Sequence, residues 1–276
     1  MKPNLQMISM ALLFGVLAVG GCVQPLQTRL TLPDRYLVVR DQLVFYSDFP
    51  LASHHRLLEE LLAERGDLCG QLALPVSNEP IHIYLFETAQ RFEAFMRLRH
   101  PNYPQRRAFF LETDTRLEVY AQWGDRVAED LRHEVAHGYL HSVVPSLPMW
   151  LDEGLAEYFE VPRGSHGLNR DHLNQLAERL AHGRWQPNLV RLEGLDPAVD
   201  MGSGDYAESW AWVHFLLETC PEHRDWLRDH LRQLRERGSV APLSAHLNRM
   251  FNRPEEALVA HIRYLAGRSR PGSGKP

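Results

Sequence analysis

Residues 131–160 read LRHEVAHGYLHSVVPSLPMWLDEGLAEYFE, and the way this stretch folds organises the rest of the chain. His133 and His137 are four apart with Leu131, Val135 and Ala136 between and around them, a period that predicts a helix over roughly 126–142. Pro148 suits the first position of a second helix, over 148–160, whose apolar stripe is Leu151, Leu155, Tyr158 and Phe159. The connection SVVPSL is short, so the second helix returns against the first. The pattern upstream of this hairpin differs from the pattern downstream.

Upstream, RYLVVRDQLVFYSDF predicts paired strands, HHRLLEELLAERGDLCGQL a helix, IHIYLF a buried strand and TAQRFEAFMRL another helix. RAFFLE and RLEVYAQW follow as strands around the turn Thr113-Asp114-Thr115. In the second of these, Leu117, Val119 and Ala121 alternate with Glu118 and Tyr120, as in a strand with one buried face. Downstream, further helices are expected over roughly 169–182, 205–219, 223–236 and 254–266. The intervening GRWQPNLVRLEGLDPAVDMGSGD is rich in breakers and predicts a long surface connection. The fold class is α+β, with a mixed sheet and helices in the N-terminal half (35–145), a helical C-terminal half (146–267), a cleft between them, and a disordered tail over 268–276.

The first residues, MKPNLQMISMALLFGVLAVGGC, set a lysine before an apolar run and then small residues, the three parts of a secretory signal. Val19-Gly20-Gly21-Cys22 resembles the lipobox of bacterial lipoproteins, which implies a signal peptide over 1–21, a lipidated Cys22 and a tether over 22–34. Val23 is not an aspartate, which favours the outer membrane, facing the periplasm. A cleaved soluble signal and an uncleaved anchor are the alternatives. Cys69 and Cys220 then remain as a pair that an oxidising compartment permits to bridge, yet both lie on apolar helical stripes where free thiols also fit. The net charge of −5, without any long basic run, excludes a nucleic-acid partner.

The spacing HExxH is short enough to arise by chance, so it needs a third donor before it reads as a zinc site. His141 continues the face, but three histidines on one straight helix spread over about 12 Å and cannot meet one ion; it reads as an ordinary polar residue or a support to the ligands. A glycine and a further histidine in the metzincin positions are absent, replaced by Leu140 and Val143. Glu153 and Glu157 share a face of the second helix, one turn apart. Glu153 is expected to reach the ion with His133 and His137, and Glu157 to hold His133 from behind. A solvated acidic face is the bland alternative.

HEVAH followed by WLDEGLAEYFE resembles the gluzincin metallopeptidases, and most closely the bacterial peptidase-MA-like family with its HExxH … P.WLxEGxAEY pattern. The resemblance is specific over about 130–160 and weaker through YAESWAWVHFLLE. It implies a zincin-like fold, one catalytic zinc ion on His133, His137 and Glu153, and Glu134 as the catalytic glutamate. It also implies an oxyanion donor at Tyr206, for which core packing with Trp210 is the alternative; His214 reads as core. The GxMEN and NExxSD signatures of better-known gluzincins are absent, which weakens an aminopeptidase reading. The expected function is endopeptidase-like hydrolysis of an envelope peptide or protein, with RLEVYAQW bordering the cleft and pairing with extended substrate. A non-catalytic zinc-containing envelope binding module and an amidase acting on peptidoglycan stem peptides are the rivals.

Overall fold

The computed structural model describes residues 30–196 and 201–269; Cys22 and the expected signal and most of the tether lie outside them. The described residues from Thr31 onward form one compact unit. Strands β1 (Tyr36–Arg40) and β2 (Leu43–Ser47) make an antiparallel hairpin. Its turn is two residues long, with Asp41 in the left-handed region at φ 49°, a conformation that short polar side chains tolerate. Helix α1 (Arg56–Leu72) crosses over to β3 (Ile81–Phe86), which lies parallel to β2. After α2 (Ala89–Arg99), strands β4 (Ala108–Thr113) and β5 (Arg116–Gln122) complete the sheet, β5 parallel to β3 and β4 antiparallel to β5.

The resulting order is β1-β2-β3-β5-β4, and it corrects one expectation. RLEVYAQW is an interior strand hydrogen-bonded on both sides, by β3 and by β4, so it has no free edge to offer a substrate. The edge belongs to β4, which the Thr113–Arg116 hairpin folds back over it. The alternation in β5 is also modified. Leu117, Val119 and Ala121 face the main core, but Tyr120 is buried as well, because α2 covers the other sheet face with Phe92, Phe95 and Met96.

Helix α3 (Val127–His141) lies on the main-core face of the sheet beside α1, and α4 (Met149–Phe159) packs on α3. The helical half adds α5 (Arg170–Ala181), α6 (Leu189–Glu193), α7 (Ser203–Glu218), α8 (Pro221–Arg237), α9 (Leu243–Met250) and α10 (Pro254–Ser269). Helix α7 is buried without a break from Ala207 to Leu217 because α4, α5, α8 and α10 surround it. Gly154 makes the α4–α7 approach possible: a Cβ there would come within 2.7 Å of the Ser209 carbonyl oxygen.

The segment expected to be a long surface connection is pinned down instead. It contains α6, and Trp185, Leu189, Leu192 and Met201 are buried. Its prolines and glycines interrupt helices without preventing those apolar side chains from reaching the core. Helix α9 was not anticipated either; it is only eight residues long. Cys69 and Cys220 are both free thiols, half-buried.

Candidate metal centre

Helix α3 presents His133 and His137 one turn apart, and the antiparallel return of α4 sets Glu153 opposite both. The Nε2 atoms of His133 and His137 are 3.3 Å apart. Glu153 Oε2 lies 3.4 Å from the first and 3.6 Å from the second. Zinc bonds of about 2.0–2.2 Å arranged tetrahedrally would place neighbouring ligand atoms about 3.3–3.6 Å apart. Glu153 Oε2 is also buried without a hydrogen-bond partner, an orphaned acceptor that a cation would satisfy. Spacing, donor types and the orphaned oxygen all fit a zinc ion, with these three side chains as its protein ligands.

The far sides of both imidazoles are held. His137 Nδ1 sits 2.8 Å from Asp152 Oδ1, and His133 Nδ1 sits 3.0 Å from Glu160 Oε2. Such carboxylates fix the ring so that the other nitrogen faces the ion. The expected partner of His133 was Glu157, and this is corrected: the carboxylate on His133 is Glu160. Glu157 stands a step behind, its Oε2 bonded to His172 Nε2 at 2.7 Å and accepting from Asn169 Nδ2 at 3.2 Å. Asn169 also donates to Glu160 at 2.8 Å, joining the two acids. The reason is helix direction. Because α4 runs back along α3, the earlier histidine meets the later acid, and the later histidines meet Asp152 near the start of α4.

His141 belongs to this network without joining the ligand set. Its Nε2 is 3.0 Å from Asp152 Oδ2 and its Nδ1 2.6 Å from Glu112 Oε2 on β4. Burial alone would lower the pKa values of these histidines. The carboxylates outweigh it, pushing His137 up to about 10 and His133 well above its ordinary value. Glu153, in turn, is held down at about 2 against its burial by the two imidazoles. Protons and a divalent cation compete for those nitrogens.

Glu134, between the ligands in sequence, does not share their atoms' meeting point. Its side chain is half-buried, and loss of solvent raises its pKa against the pull of the two neighbouring imidazoles. It lines two adjoining cavities, of about 680 and 270 Å³. Both are bordered by His133, Tyr206 and the 103–109 segment, and the smaller reaches His137 and Glu153. Tyr206 therefore faces the cleft, while Trp210, one turn on, is fully buried. His214 is core, as expected, paired with His261 at 2.9 Å.

Residues 127–241 match a family model described as a protein of unknown function, DUF1570. The match spans α3 through α8, so it contains all three candidate ligands, Glu134 and Tyr206 but none of the sheet. No curated protein matches the chain.

Asp152, Glu160, Asn169, His172 and Arg106 were missed from sequence. A signal existed for Glu160, which follows Glu153 by seven residues and Glu157 by three and so shares their face. No local pattern marks Arg106, whose place depends on how the 100–107 loop crosses to α7.

Proposed function

We propose that this protein is a zinc-dependent peptidase of gluzincin type with a zincin-like fold, acting endoproteolytically at the bacterial cell envelope. The observation that carries the reading is the meeting of His133 Nε2, His137 Nε2 and Glu153 Oε2 within 3.6 Å of one another on the floor of a cleft that the carboxyl of Glu134 also lines. A purely structural zinc site would close its coordination with a fourth protein ligand. Among the described residues, no fourth side chain shares this cluster.

Zinc held there supplies Lewis acidity, polarising a carbonyl and bringing the acidity of water towards neutrality. Glu134 is the proton carrier. Its carboxylate takes a proton from the attacking water as the oxygen bonds to the carbonyl carbon, and returns it to the nitrogen as the C–N bond breaks. Burial suits it to both tasks by moving its pKa up towards the working range. Tyr206 offers its hydroxyl to the oxygen on which negative charge develops. The free edge of β4, which begins beside Glu134, is the surface on which an extended peptide would pair.

The decisive experiment is Glu134→Gln, which keeps size while removing the base. Zinc content and thermal stability should remain near wild type, and cleavage of envelope polypeptides should fall by about 10⁴-fold. Equal cleavage by both proteins, or by neither across a broad substrate set, would refute the peptidase reading. The envelope location rests on Cys22, through which a lipid would anchor the chain; Cys22→Ser should move the protein from the membrane to the soluble fraction, and a variant that stays membrane-bound with its first residues intact speaks against the anchor.

A further inference from the structure

Arg106 lies on the connection between α2 and β4 and borders both cavities of the cleft. Its Nη2 donates to the Tyr206 hydroxyl at 2.8 Å, and its guanidinium stands 5.7 Å from the centre of the same ring. Among the described residues it forms no ion pair. The next residue is different in this respect: Arg107 grips Asp130 through Nε at 2.9 Å and Nη2 at 2.6 Å. Arg106 thus spends one donor on a neutral hydroxyl and keeps a planar fork of further N–H groups in the cleft.

The charge around it sharpens this. Glu134 and Glu153 are the carboxylates whose fields reach Arg106. A divalent cation on Glu153 would offset both of those acids, leaving the guanidinium charge uncompensated where Arg106 borders the cleft. A guanidinium fork in that position matches a carboxylate, which can accept two parallel N–H bonds, better than it matches any neutral group.

We propose that Arg106 determines specificity by binding a carboxylate of the substrate next to the bond that is cut. This deepens the peptidase reading and rests on it. Because Tyr206 faces the reacting carbonyl in that reading and Arg106 touches Tyr206, the carboxylate belongs to a residue adjoining the scissile bond. Two sources share that chemistry: the side chain of an Asp or Glu, which keeps the endoproteolytic mode, and the free C-terminus of a peptide, which would turn the cut into removal of the last residue.

The test uses four peptides of one sequence, with a free or amidated C-terminus and with Glu or Gln at the flanking position, titrated against full-length zinc-loaded Glu134→Gln. One of the two carboxylates should tighten binding by about 10–100-fold over its neutral counterpart. Which one does so identifies the source. In Glu134→Gln with Arg106→Gln the ratio should fall to within about 2-fold, and Arg106→Lys, which keeps the charge but not the fork, should lie between. Equal affinity for acid and neutral peptides, including no binding of either, overturns the proposal. So does a preference that survives Arg106→Gln, since the carboxylate would then be held elsewhere. Cleavage of the same peptides by wild type is scored separately: cleavage without a carboxylate preference leaves the peptidase standing and removes this proposal, whereas an Arg106-dependent preference without cleavage does the reverse.

Discussion

Two groups of buried and half-buried histidines occupy this molecule, and they behave in opposite ways. On α3, His133, His137 and His141 each face a carboxylate, from Glu160, Asp152 and Glu112 respectively. In the helical half, His214 faces His261 at 2.9 Å, and the two lie among Trp210 and Phe215. His230 is buried near His246. Burial disfavours the imidazolium in both places. On α3 the acids reverse that effect and His137 rises to about 10, while burial prevails in the helical half and takes His214 to about 3 and His261 and His230 to about 4. Burial therefore does not distinguish a ligand from a packing residue. The groups opposite do: on His133 and His137 a carboxylate takes Nδ1 and orients Nε2 towards the ion, whereas both nitrogens of His141 are taken by carboxylates.

The comparison breaks first if the wrong acid has been placed behind His133. Glu160→Gln removes the charge directly on that ring and should weaken zinc affinity by about 10–100-fold. Glu157→Gln should cost less, because Glu157 acts only through His172, Asn169 and Glu160. A chelator competition on both variants decides it, and a larger loss for Glu157→Gln would invert the arrangement.

A smaller effect sharpens the other side. A histidine whose folded pKa lies below the unfolded value of about 6.5 contributes its full stability above that pH. As the pH falls from about 6.5 towards about 4, the unfolded chain binds a proton that the folded chain refuses. Stability then drops by about 1.4 kcal/mol per pH unit for each such group. His261→Gln removes one of them. Urea unfolding of the metal-free protein between pH 6.5 and 4.5 should show a slope shallower than wild type by about that amount. Identical slopes would mean that His261 already binds its proton in the folded state.

Much of this was legible in order along the chain. The strand and helix succession, the hairpin of α3 and α4, and the candidate ligands His133, His137 and Glu153 follow from periods of two and 3.6 and from a connection too short to lead elsewhere. Those are local quantities, and a local reading recovers them. Pairwise geometry across elements is another matter. That β4 and not β5 holds the free edge depends on the strand order, which no single strand encodes. That Glu160 supports His133 depends on α4 running back along α3, so that the nearest acid in sequence is not the nearest in space. Trp185, Leu189 and Met201 reach the core from a stretch whose prolines and glycines read as surface, because packing of distant helices outweighs local breakers. Arg106 meets Tyr206 a hundred residues away. Only the folded chain closes that distance, since the loop that carries Arg106 is placed by the sheet and the helix that carries Tyr206 by the bundle.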